Sequence, residues 1–278
     1  MVYWGKGEEI VMNKAIDLSI TNDSVKAQER IALQGFSLID LGIPAEKIDE
    51  MKVILEGLVQ EDLAKWSNHP IYRDHWMVLN LMFRNKIFAD LIGMPSIQEF
   101  VEKLLGEPFI LYSFTSSSMP PNGSNFSRRI HNDAARFIPN YITNVGLVLA
   151  LDDFTSINGA TQVLPFSQIE PERPSEERFE AEAIEIHAQK GQALLFNARL
   201  WHSGGQNKSE ASRNALTLNF CRSFMRQHFD FSAIAEKDNF AGFNDQAMKL
   251  MGKKVRMPRS LEEYYVSTEE RRYQPGQG

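Results

Sequence analysis

At 278 residues, with 43% hydrophobic side chains and no long polar or low-complexity tract, the chain can bury a sizeable core in one domain. Its 30 basic and 36 acidic residues give a net charge of −6 and a sequence pI of about 5.6, which argues against a general electrostatic hold on nucleic acid or acidic membranes and favours a small-molecule partner. The one cysteine, Cys221, excludes an internal disulfide; residues 1–9 carry no signal-peptide pattern, and no run nears the roughly 18 apolar residues of a membrane span, so a cytoplasmic location is expected.

In chain order, Asn22 or Asp23 can cap a first helix that runs through Val25, Gln28, Ile31 and Ala32 and stops at Gly35. A short strand, Phe36–Leu41, follows. Pro44 then opens a longer helix in which apolar Ile48, Met51, Leu55, Leu58 and Val59 recur at helical steps, with Glu46, Lys47, Asp49, Glu50 and Lys52 on the solvated side. Both helices should pack on the outside of a sheet. Residues 66–84 lose this periodicity and mix Trp66, His69, Tyr72, Arg73, His75, Trp76 and Arg84 with apolar residues, which suits a substrate-pocket wall or an ordinary core edge. His69 and His75 read as structural. Another helix runs from Ser96 to Leu105 and ends at Gly106.

The first core strand is Phe109–Thr115, in which alternation places Leu111, Ser113 and Thr115 on one face and predicts a polar-lined interior there. Pro120-Pro121-Asn122-Gly123 must be a loop and is a natural lid. Residues 142–152 form a long apolar central strand. The charged, proline-bearing stretch 171–178 reads as an exposed connection. Strands 183–187 and 193–197 follow as a hairpin turning at Gly191, with His187 on the solvent face. After a strand over 214–225, Met248, Leu250, Met251, Leu261, Tyr264 and Tyr265 supply helical or loop cover, and residues 271–278 a loose tail. The pattern is mainly β with flanking helices: one domain over 1–278, with helical N-terminal cover at about 20–106, a core at about 107–226 and C-terminal cover at about 227–278.

The chemistry concentrates in Arg129-Ile130-His131-Asn132-Asp133 and in the later Leu200-Trp201-His202-Ser203-Gly204-Gly205. Residues two apart on an extended strand project to one face, so His131 and Asp133 can point together while His202 closes a triangle from a neighbouring strand. Two imidazoles and one carboxylate make the donor set that holds iron(II) by one face and leaves its other positions open. The same residues also fit a set of satisfied polar groups. His228-Phe229-Asp230 matches the short pattern too, but no histidine follows it. Eleven positions after His202, Arg213 heads a strand in which Arg213, Ala215, Thr217 and Asn219 share one face and Leu216, Leu218 and Phe220 the other. An arginine on the inner face needs an anion, and its planar fork fits a carboxylate; the alternative is a surface arginine at a strand end.

Taken together, His131-Asn132-Asp133, His202-Ser203-Gly204-Gly205-Gln206-Asn207-Lys208 with Arg213, and the strand-turn Asn158–Ser167 resemble the phytanoyl-CoA dioxygenase family of iron(II)/2-oxoglutarate oxygenases over about residues 108–225. The resemblance implies a double-stranded β-helix (jelly-roll, cupin-like) core and iron(II) on His131, Asp133 and His202. It further implies 2-oxoglutarate on Arg213, with Ser113, Asn132, Ser203 and Thr217 as further cosubstrate contacts, and O2 as oxidant. The activity implied is hydroxylation of an unactivated C–H of a small metabolite of secondary or amino-acid-derived metabolism, releasing succinate and CO2. Desaturation or ring closure, or a non-catalytic cupin-like binding protein, are the alternatives. Halogenases of this fold need a small residue where Asp133 stands. Arg136, Phe137, Trp76 and Arg84 are the substrate-contact candidates. The chain departs from the family twice, reading Pro165-Phe166-Ser167-Gln168 for a frequent Pro-Gly-Ser-His, and Gly204 for a serine two places after the distal histidine, for which Ser203 can substitute.

Overall fold

Asp23 caps α1 (Ser24–Gln34): its carboxylate accepts from the amides of Val25 (2.8 Å) and Lys26 (3.2 Å), and Gly35 closes the helix in the left-handed region at φ 94°. After β1 (Phe36–Asp40), α2 (Ala45–Trp66) buries the stripe Ile48, Met51, Leu55, Leu58 and Val59 that its spacing marks out. Residues 67–85 are irregular apart from a short 3-10 turn, and α3 (Lys86–Ile92) and α4 (Pro95–Leu105) complete the N-terminal helices. This computed structural model describes residues 15–134, 136–237, 243–252 and 258–267. The expectations for residues 1–9 and for the 271–278 tail lie outside them.

The sheet-forming half runs β2 (Phe109–Met119), β3 (Asn144–Ala150), β4 (Thr161–Val163), α5 (Glu176–Glu182), β5 (Ile184–Ile186), β6 (Gln192–Asn197), β7 (His202–Ser203) and β8 (Arg213–Arg222), followed by α6 (Phe231–Lys237), α7 (Asp245–Leu250) and α8 (Leu261–Tyr264). Two antiparallel sheets result, ordered β1-β6-β3-β8-β2 and β5-β4-β7. They face one another as a double-stranded β-helix, the jelly-roll expected. One face of the large sheet, with Phe114, Leu147, Leu195 and Leu218, meets α1 to α4, α6 and α7 in the main apolar core. The other face packs Phe36, Val148, Leu194 and Phe196 against Val163 and Ile186 of the small sheet. That second face also carries Ser113, Thr115, Thr217, Asn219 and Arg213, since cross-strand partners share a side. Among the described residues no helix is long and apolar enough to cross a membrane.

Four local expectations are corrected. Leu111 does not share a face with Ser113, because a β-bulge at Tyr112 shifts the register: Leu111 pairs with Phe220 and Ser113 with Asn219. The bulge lets Leu111 and Phe114 both enter the apolar core while Ser113 turns to the small sheet. The strands flanking Gly191 are not a hairpin, since β5 belongs to the small sheet and β6 to the large one. The connection 171–178 is partly helical: the Ser175 hydroxyl accepts from the Arg178 amide and starts α5, which buries Phe179. In the C-terminal cover, Leu250 and Met251 reach the core, whereas Leu261, Tyr264 and Tyr265 are exposed.

Candidate metal centre

His131 and His202 sit opposite one another in a reciprocal backbone pair, with N–H to carbonyl distances of 3.0 and 2.9 Å, which aims both imidazoles to one side. The Asp133 amide donates to the Ala198 carbonyl (2.8 Å), fixing the carboxylate beside them. Each imidazole commits its Nδ1 proton to a carbonyl, His131 to Arg129 (2.7 Å) and His202 to Leu200 (3.0 Å). Both Nε2 lone pairs are thereby left free. They stand 3.7 and 3.8 Å from the Asp133 carboxylate, and the three donor atoms lie within 4.8 Å of one another. Such bonds to the far ring nitrogen orient a metal-binding histidine and choose its tautomer. Burial, then the neighbouring His202, push the His131 imidazole down to about 4 against the opposing pull of Asp133, so it is neutral at neutral pH, as a ligand must be. Phe196 backs the pair, 5.0 Å from the His202 ring, over the space left by Gly146.

Arg213 is 2% exposed, and among the described residues it forms no ion pair with a carboxylate. One Nη donates to the Gly159 carbonyl, the guanidinium lies 4.4 Å from the Phe154 ring, and Nε is buried without a partner. Burial pushes its pKa down to about 10, with Asp152 opposing, so it stays cationic at neutral pH. A buried cation with an orphaned donor fits an absent carboxylate.

The other candidates divide. Ser113 and Thr217 are half-buried on the large-sheet face that looks toward His202. Asn132 is engaged elsewhere, its amide oxygen accepting from Arg199 at 3.4 Å. Ser203 alternates with His202 on β7, so its hydroxyl turns away and donates to the Arg128 carbonyl (2.7 Å). It borders a cleft of about 550 Å³ outside the small sheet, where Arg128, Arg129 and Lys208 face Glu176, Glu180 and Glu185. Ser203 therefore does not replace the missing serine hydroxyl. Phe137 is half-buried beneath the Arg199 guanidinium (5.3 Å), and Arg136 is exposed, both just past Asp133. Trp76 packs on the helix-side core, its carbonyl accepting from Ser118 at the Arg213 end of β2. Arg84 is spent on Asp62, at 2.9 and 3.1 Å, and on Glu61. The structure thus removes Trp76 and Arg84 from the chamber. The loop over Pro120–Gly123 is tied down, Asn122 N–H to the Ser209 carbonyl and Asn207 N–H to that of Gly123.

Sequence reasoning misses Arg199. This arginine is buried in the turn before His202 with no acidic partner among the described residues, and it ties the carbonyls of Glu170 and Pro171 to Asn132 between the two ligands. Its signal was a cation in the otherwise apolar run Ala198–Trp201. Gly204 also has a structural reason: a Cβ there would strike the Met119 methyl and come within 2.6 Å of the Ser127 hydroxyl. Gly204→Ser, which restores the family residue, should therefore destabilise by about 1–3 kcal/mol through overpacking. A urea midpoint unchanged from wild type would show that the space is open.

A model of the phytanoyl-CoA dioxygenase (PhyH) family matches residues 32–215, extending the likeness back into α1. Uncharacterized protein Rv1501 of Mycobacterium tuberculosis is 30% identical over 207 residues, 72% of this chain and 76% of that protein. Among solved structures, the epimerase SnoN in complex with Fe3+, alpha ketoglutarate and nogalamycin RO aligns at 18% identity with a TM-score of 0.57, covering 72% of this chain and 84% of that one. The alpha ketoglutarate dependent carbocyclase SnoK aligns at 16% identity with a TM-score of 0.59, covering 71% and 83%. At these identities the two structures bear on the fold.

Proposed function

Because the chain belongs to the phytanoyl-CoA dioxygenase family, and so to the iron(II)- and 2-oxoglutarate-dependent oxygenases, we propose that it hydroxylates an unactivated C–H of a small metabolite. The observation that carries this reading is the cluster of two free imidazole Nε2 atoms and one carboxylate, facing a sheet that buries an arginine with no ion-pair partner among the described residues. The donor set is the one iron(II) takes with open positions. Iron bound there would supply the oxidising chemistry, with 2-oxoglutarate as the two-electron co-reductant of O2. His131, Asp133 and His202 would hold the metal, and Arg213 would clamp the far carboxylate. Phe196 and the apolar seam between the sheets would keep water from the centre.

Hydroxylation is preferred to halogenation because Asp133 retains the carboxylate. Desaturation, ring closure or epimerisation would use the same residues, and SnoN and SnoK are described as an epimerase and a carbocyclase. The rival from another class is a cupin-like protein that binds a small molecule without turnover. Adding 2-oxoglutarate to the iron(II)-loaded protein without oxygen tests the site: a visible metal-to-ligand band is expected. Its absence while iron is bound would count against a cosubstrate site.

A further inference from the structure

The outer face of the small sheet floors the cleft of about 550 Å³. Gln162 is in register with Glu185 on one side and with Ser203 on the other, and cross-strand partners share a face, so the three form a row across β5, β4 and β7. Two strand spacings make that row roughly 10 Å long. Because His202 alternates with Ser203, the metal donors lie on the opposite face and the cleft is separate from them. The acids of the cleft arrive on one stretch of chain, Glu176 and Glu180 on α5 and Glu185 on β5. Its free cations come from elsewhere: Lys208, Arg129, and Arg128, whose carbonyl accepts from the Ser203 hydroxyl.

These opposite charges line one space without meeting across it. Among the described residues the ion pairs here stay within residues 173–187, Arg173 to Glu176 at 3.6 Å and His187 to Glu185 at 3.3 Å. Arg128 instead donates to the Gln206 amide oxygen, and the Arg129 guanidinium lies 3.7 Å from the Phe126 ring. Neither arginine forms an ion pair among the described residues, and Lys208 and Glu180 form none either. Arginine, lysine and glutamate side chains are long enough to meet across a narrow gap, so the cleft is wide enough to admit a guest between them. An inorganic anion would use the cations and be repelled by the acids, and a metal cation the reverse. A molecule that carries a carboxylate and an ammonium at opposite ends uses both; one whose two charges adjoin cannot reach across.

We propose that this cleft is a binding site for a linear zwitterion, the chemistry shared by ω-amino acids and short peptides, distinct from the metal centre. The full-length protein is titrated calorimetrically at low salt with 6-aminohexanoate, triglycine, hexanoate and hexylamine. At least one zwitterion should bind at a concentration about two- to fivefold below that of either singly charged probe, the gain that one further exposed ion pair supports. The tighter of the two zwitterions tells an aliphatic amino acid from a peptide. Lys208→Ala and Glu180→Gln change exposed residues with no ion pair among the described residues, so both should melt with wild type. Each should weaken the zwitterion by a similar factor, with hexylamine unchanged in Lys208→Ala and hexanoate unchanged in Glu180→Gln. Added salt should weaken all of these responses. Zwitterions that bind no tighter than hexanoate or hexylamine, or a preference kept in both variants, would overturn the site. Loading with iron(II) and 2-oxoglutarate should leave the titrations unchanged, so failure of the oxygenase reading does not touch this result. Loss of zwitterion binding on loading would place the probe at the metal and overturn the site as well.

Discussion

His202→Ala should lose iron(II) binding and 2-oxoglutarate turnover together. The three donors hold the ion only as a set, and His202 is the most enclosed of them, its Nδ1 anchored to Leu200 and its ring against Phe196. Losing an outer-shell partner typically costs roughly 10- to 100-fold in metal affinity, and losing a ligand should cost more. His228→Ala is the control, because the second His-x-Asp pair has a structural job: the His228 ring stacks on Tyr112 (6.0 Å, 8° between planes), and Asp230 accepts from the Ala233 amide. Equilibrium dialysis against iron(II) should find His228→Ala near wild type and His202→Ala without bound metal. Retention of iron by His202→Ala at wild-type affinity would dismiss the triad.

Arg213→Ala should keep iron but lose 2-oxoglutarate. The guanidinium is fully buried, has one carbonyl partner and a bare Nε, and lies on the strand face toward the ligands. Deleting one partner of a buried ion pair costs about 3–5 kcal/mol, equivalent to roughly two to three powers of ten or more in affinity. Arg213→Lys should recover only part of this, since a lysine restores charge without the two-pronged contact. Dialysis with labelled 2-oxoglutarate and iron(II) measures the difference. Wild-type affinity in Arg213→Ala would move the anion site to another residue.

What was legible in the sequence follows from which signals are local. The helix caps at Asp23 and Gly35, the α2 stripe and the alternation of β8 are set by neighbours in sequence, and the structure repeats them. The proximity of His131 and Asp133 was legible because i, i+2 geometry needs only an extended backbone, and the family resemblance supplied His202 as the third member. Apart from α5, whose Ser175 cap is a local signal, the failures are tertiary. Nothing local marks the bulge at Tyr112, which forms because Leu111 and Phe114 both compete for the core. Gly191 reads as a hairpin turn in any sequence, yet β5 and β6 find partners in different sheets. Ser203 looked like a replacement hydroxyl until the parity of β7 turned it away, and Arg84 looked available until Asp62 claimed it. Arg199 was passed over because a polar residue in an apolar run announces its burial only once the sheets are closed.

The most direct measurement is succinate formed from 2-oxoglutarate under air by iron-loaded wild-type protein, across a panel of small metabolites, with His202→Ala as the blank. Succinate above the blank, raised further by at least one panel member and falling away without iron, is the predicted result. Iron-bound wild-type protein that forms no more succinate than His202→Ala with every panel member would contradict the account and leave a binding protein on an oxygenase scaffold.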